Sequence, residues 1–208
     1  MTPRPAWLVT RDSPALGHLT DLCDTLGRAV RAVAQAVAAD GSERDRVERD
    51  LSALDAAATA ALMAFLTALR SAYVTPVPRP DLYRLADGVK TAAHRVVGAG
   101  VLVHRADLDA LPRNAVELLE TLGRQAELLA HGTRQLRDLD ALEDTWMQLE
   151  RGIRRMERLM VDWLADLGTD LLQRDYNRQR EIASALRDAV LALDRVNTDL
   201  GVVLVRES

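Results

Sequence analysis

The distribution of proline limits what this chain can fold into. Its seven prolines stand at positions 3, 5, 14, 76, 78, 80 and 112, and none occurs from Ala15 to Thr75, from Asp81 to Leu111 or from Arg113 to Ser208. Proline inside a helix removes a backbone donor and clashes with the preceding turn, so these three gaps are where long helices fit. Apolar residues recur through them in steps of three and four, the spacing that lines one face of an α-helix. One stripe runs Leu19, Leu22, Cys23, Leu26, Val30, Val33, Val37, and the next Val47, Leu51, Leu54, Ala58, Leu62, Phe65, Leu69. A third runs Leu82, Leu85, Val89, Ala92, Val96, Ala99, and a fourth Leu118, Leu119, Leu122, Ala126, Leu129. The fifth is Leu142, Trp146, Leu149, Ile153, Met156, Met160, Trp163, Leu167, and the sixth Leu172, Tyr176, Ala183, Leu186, Val190, Leu193, Val196, Leu200.

Local signals divide the stripes. Asp40-Gly41-Ser42 reads as a helix stop followed by a cap, with Ser42 and Asp45 at capping-box spacing. The run Thr75 to Pro80 is expected to be an extended connector, because each proline keeps its predecessor out of the helical region. Pro112 suits the first turn of a helix, and Gly168-Thr169-Asp170 reads as a second stop and cap. The weakest break is Thr133 to Asp140. The expectation is an all-α fold of about six long amphipathic helices, the longest approaching 30 residues. No helix can bury its stripe alone. The chain should therefore form two three-helix halves, 1–108 and 109–208, packed as one compact unit, or one elongated bundle. The first half carries 13 basic and 12 acidic groups, and the second 14 and 19.

Composition excludes several functions. Cys23 is the one cysteine, which forbids an internal disulfide and a multi-thiolate zinc site, and its place on a stripe marks it as core. Net charge is −4 and aromatic residues make up 3%, which offers nucleic acid neither a basic face nor a stacking platform. No apolar run is expected to approach the roughly 20 residues that span a bilayer, and Met1 to Thr10 lacks a signal core. These features point to a cytoplasmic protein. No Gly-x4-Gly-Lys loop, His-Glu-x-x-His or Gly-x-Ser-x-Gly occurs, and the expectation is a protein that is not an enzyme.

The segment Tyr73-Val-Thr-Pro-Val-Pro-Arg-Pro-Asp-Leu-Tyr-Arg-Leu-Ala86 resembles a signature of the PhoU-like phosphate transport regulators, accessory proteins often paired with Pit-type phosphate transporters. Tyr73, Thr75, Pro76, Arg79, Asp81, Leu82 and Leu85 match, whereas Pro80 replaces an acidic residue. The resemblance implies a PhoU-like bundle and a regulatory or accessory role in phosphate transport. Its partner would be a phosphate transporter, met at the cytoplasmic membrane face, or a signalling protein. Homo-oligomers are compatible with it.

Members of that family also carry acid-x-x-x-acid pairs that share a helix face and can offer carboxylates to cations. Sliding that pattern along from Thr75-Pro76 places the first pairs on Asp55 and Thr59 and on Lys90 and His94, and the second-half equivalents resemble Glu157 and Val161, then Val190 and Asp194. Three pairs keep one acid and one keeps none, so the metal motif is eroded and no cofactor is expected. The residual candidates are Asp55, His94, Glu157 and Asp194, with a single divalent or iron ion on His94 and Asp55 as the surviving metal reading. Lys90, the only lysine, opposes a cation and could instead neutralise Asp55 or Asp87. Arg151, Arg154, Arg155 and Arg158 form a basic stripe open to an acidic or anionic partner, with Glu150 placed to neutralise Arg154. Lys90-Thr-Ala-Ala-His94-Arg-Val-Val-Gly98 is similar to the histidine helix of phosphotransfer bundles, although Val97 stands where those domains place lysine. The alternatives are thus a phosphotransfer or metal-dependent enzyme using His94, and a generic helical interaction module.

Overall fold

The computed structural model describes residues 13–38, 43–106, 111–167 and 171–207. Six helices run in order: α1 (Pro14–Ala38), α2 (Arg44–Ser71), α3 (Arg79–Ala106), α4 (Arg113–Arg134), α5 (Leu139–Asp166) and α6 (Gln173–Glu207). No strand occurs among the described residues. The α6 helix is 35 residues long and exceeds the expected limit of about 30. No proline or glycine stop follows Gly168 until the chain's end, except Gly201, whose missing side chain makes room for Trp146.

The stripes became the core. Leu19, Leu22, Leu26, Leu51, Phe65, Leu82, Leu118, Leu122, Leu149, Trp163, Leu186 and Leu193 belong to one continuous hydrophobic cluster that draws on all six helices. Leu172 departs from its stripe and is exposed, because it precedes the first turn of α6. The helices α1, α2 and α3 pack on one another; α5 packs on α4 and α6. Two seams join these groups, α1 on α4 and α3 on α6. Both are antiparallel. Near one end of the molecule Thr20 of α1 meets Thr133 of α4 through their hydroxyls at 2.8 Å. Farther along, Arg95 of α3 lies 3.8 Å from Asp188 of α6. Gly88 lets α3 approach α6, since a Cβ there would come within 2.6 Å of Val196 Cγ2.

Several local expectations are corrected. The connector ends at Pro78, because Arg79 and Pro80 already occupy the first turn of α3, where proline's missing donor is not needed. Pro112 is the extended N-cap of α4, one residue before its first turn. At the weak break, Asp138 caps α5 by accepting from the Ala141 amide at 3.2 Å. The proposed caps at Ser42 and Gly168 to Asp170 lie outside the described residues.

The expectation about apolar runs also changes. From Leu51 to Leu69 the one charged residue is Asp55. Arg46–Ser71 is long and apolar enough to cross a membrane by length and composition, with mean hydropathy 1.6. A search for stripes misses this, because the apolar character of α2 is spread around the helix as alanine. In the bundle α2 buries Leu51, Ala58, Phe65 and Leu69 against α1 and α3, while Thr59, Ala60 and Met63 remain exposed.

Candidate functional site

The connector between α2 and α3 is fastened at both ends. Arg79 donates to the Ala72 carbonyl just beyond α2. Asp81, in the first turn of α3, is 2% exposed. A carboxylate so buried needs charged partners. It accepts from Arg84 of its own helix and from Arg206 of α6, whose Nη1 lies 2.9 Å from Oδ1 and 3.1 Å from Oδ2. Asp81 thus ties the start of α3 to the end of α6. Thr75 and Pro76 line a 300 Å³ hollow against Leu136 of the α4–α5 turn and Leu139 at the start of α5. Tyr73, beside it, is almost fully exposed.

Where α2 meets α3, Asp55 Oδ1 lies 2.8 Å from His94 Nδ1, with both side chains open to solvent. Asp55 therefore pairs with the histidine and not with Lys90, which makes no ion pair among the described residues. Two protein ligands fall short of the three or four that hold zinc, and no three His, Cys, Asp or Glu side chains converge among the described residues. Val97, at the phosphotransfer lysine position, is buried.

The seam between α5 and α6 brings the other two candidates together. Glu157 and Asp194 line one hollow of 430 Å³ with Val161 and Val190, the four positions that the family pattern reached. Met160, Leu164, Leu191 and Arg187 complete it. Val161 is 66% exposed, so the groove is apolar where the pattern would put acids. The first half places Asp55, Thr59, Lys90 and His94 at matching positions on α2 and α3, and there Asp55 bonds to His94.

The basic stripe is partly neutralised. Arg154 bonds to Glu150 at 2.9 Å, as the four-residue spacing anticipates, and Arg155 lies 3.8 Å from Glu117 of α4. Arg151 donates to the Met147 carbonyl at 3.3 Å. Arg158 makes no ion pair among the described residues.

Sequence reasoning did not find three partners. One is Arg206, which holds Asp81. The others are Trp146 and Asn197: Trp146 Nε1 donates to the Asn197 carbonyl at 3.0 Å, and Asn197 Nδ2 donates to Glu150 at 3.0 Å. A tryptophan and an asparagine at one level of facing helices would have been the signal, but the facing register had to be known first. Cys23 carries no chemistry here. It is buried, and burial pushes its thiol up to about 12.

No protein-family profile matches the sequence, and no curated protein does. Among solved structures, this chain is similar to a PhoU-like protein from Shewanella oneidensis MR-1, with a TM-score of 0.69 at 16% identity. The likeness covers 92% of this chain and 99% of that one. The fold is PhoU-like. The segment from Tyr73 to Ala86 forms the α2–α3 connector and the start of α3, where Arg79 and Asp81 make the contacts that hold it.

Proposed function

We propose that the protein is an accessory regulator of inorganic phosphate transport. It docks at the cytoplasmic face of a phosphate transporter, or on that transporter's signalling partner, and acts without catalysing a reaction. The observation that carries this reading is the PhoU-like fold over nearly the whole chain. The resemblance of the Tyr73 to Ala86 connector to the signature of PhoU-like regulators supports it at the level of sequence. A bundle that docks on a transporter acts through its surfaces, and mass action then couples docking to transporter state.

The test is capture of the tagged chain from gently solubilised native membranes at low and high phosphate, with the co-purifying proteins identified by mass spectrometry. A phosphate permease enriched over an untagged control is the expected result. Recovery without any permease at either phosphate level, together with unchanged phosphate uptake in a deletion strain, overturns the reading.

A further inference from the structure

We infer that the outer groove between α5 and α6 is the docking site for a basic amphipathic helix belonging to a cytoplasmic segment of the partner membrane protein. The inference rests on the proposed function for the nature of that partner. Two hollows lie on this one seam, 430 Å³ beside Val161 and Leu191 and 900 Å³ beside Trp146 and Val202. They are reached from residues 139 to 164 of α5, a span of roughly 38 Å at 1.5 Å per residue, which suits several turns of a helix laid in a groove.

Surface chemistry selects the occupant. Val161, Leu164, Leu191 and Val205 leave apolar area open to solvent along the seam. Glu157 and Asp194 wall one hollow, Asp140 and Glu143 the other, and none of these four carboxylates has an ion pair among the described residues. One lining guanidinium, Arg187, is likewise unpaired, whereas Arg206 is committed to Asp81, and Arg154, one turn before Glu157, to Glu150. Four free carboxylates against one free guanidinium favour a cationic guest. Cytoplasmic loops of membrane proteins carry an excess of lysine and arginine, and complementary charge steers and orients such an encounter. The corresponding positions on α2 and α3 hold Lys90 and a histidine-bound Asp55, so the two halves present different charges at the same level and only the second suits this guest. The preferred docking surface is therefore acidic and apolar, and not the Arg151–Arg158 stripe.

A helical peptide of leucine and lysine, apolar at i, i+3, i+4 and i+7, serves as the probe. A leucine–glutamate analogue is its control. Binding is read by anisotropy, and its location by methyl NMR at Val161, Leu164 and Leu191 of the full chain. The expected result is one lysine peptide per chain, shifts confined to that seam, and no binding of the glutamate peptide. Glu157→Lys with Asp194→Lys should weaken binding about tenfold or more, while Asp162→Lys, exposed on α5 outside the groove, should change it little. Leu191→Ser provides a charge-neutral variant that should also weaken binding. Equal affinity in all variants, or equal binding of both peptides, overturns the inference. So does a dimer, seen by light scattering, that the double variant dissociates, because a second copy would then own the groove. If wild type and the double variant capture a phosphate permease equally, the groove assignment fails while the transport reading stands. If the lysine peptide binds the seam but no permease is ever captured, the reverse holds.

Discussion

Asp81 is the residue whose loss should be felt most at a single position. Its carboxylate is buried, and its two arginine partners reach it from half-exposed positions. Asp81→Asn removes the charge while leaving the shape, and the arginines can turn to water. The expected cost is therefore that of charge-assisted hydrogen bonds, about 1.5–3 kcal/mol, read as a lower urea midpoint at constant slope. Arg206→Ala should cost less, because Arg84 remains bonded to the carboxylate, and a double-mutant cycle between positions 81 and 206 should show coupling. Stability unchanged within 0.5 kcal/mol in Asp81→Asn would show that the tether contributes nothing. The sequence revealed Asp81 as an acid in a first turn, because that depends only on neighbours. It could not reveal Arg206, which lies 125 residues away and whose role depends on α3 and α6 running antiparallel. The Asp55–His94 and Glu157–Asp194 juxtapositions were legible for a different reason. Both came from the acid-pair pattern that the family resemblance implies, laid along from the connector in the first half and transferred by equivalence to the second, and not from periodicity alone.

Glycines decide how closely the elements approach, and two on α3 should respond in opposite directions. At Gly88 an added methyl meets Val196 Cγ2 at 2.6 Å on the facing helix. Valine in a helix has essentially one rotamer, so α3 and α6 must separate. Overpacking of this kind costs about 1–3 kcal/mol, against about 1 kcal/mol gained from helix propensity. Gly88→Ala should therefore lower the melting temperature. At Gly98, ten residues along the same helix, the added methyl meets nothing within 4 Å and the position is exposed. Gly98→Ala should gain about 0.5–1 kcal/mol and raise the melting temperature. A shift of the same sign in both variants would mean that propensity alone governs α3. The helices themselves were readable because period and proline spacing are local. Which glycine marks a crossing was not, since both Gly88 and Gly98 lie within one helix and the neighbours of neither name the residue that faces it. Only the position of Val196 separates them. The character of α2 escaped for a related reason: alanine counts for little in a stripe but accumulates to a helix with one charge between Leu51 and Leu69.

For the whole molecule, the packing argues against two independently stable halves. The α1–α4 and α3–α6 seams carry much of the burial, and the hydrophobic core is continuous across them. Pulling the halves apart would expose Ala126 beside Gly27, Val30 beside Gly123 and Val196 beside Gly88, which costs free energy roughly in proportion to the apolar area bared. The two halves also differ in charge, with near balance in 1–108 and an excess of five acids in 109–208. Because the core is continuous across the seams, unfolding of the full chain in urea should be one transition. Far-UV circular dichroism follows all six helices, and tryptophan emission in a Trp7→Phe variant follows α5 alone through Trp146 and Trp163. The two curves should share a midpoint and a slope appropriate to the surface of the entire bundle. A tryptophan transition displaced from the circular dichroism curve, with the latter biphasic, would show that the second half melts as its own unit. The seams would then be an interface between two domains, and the separate charge of the second half would be free to act on a partner without the first half's stability being involved.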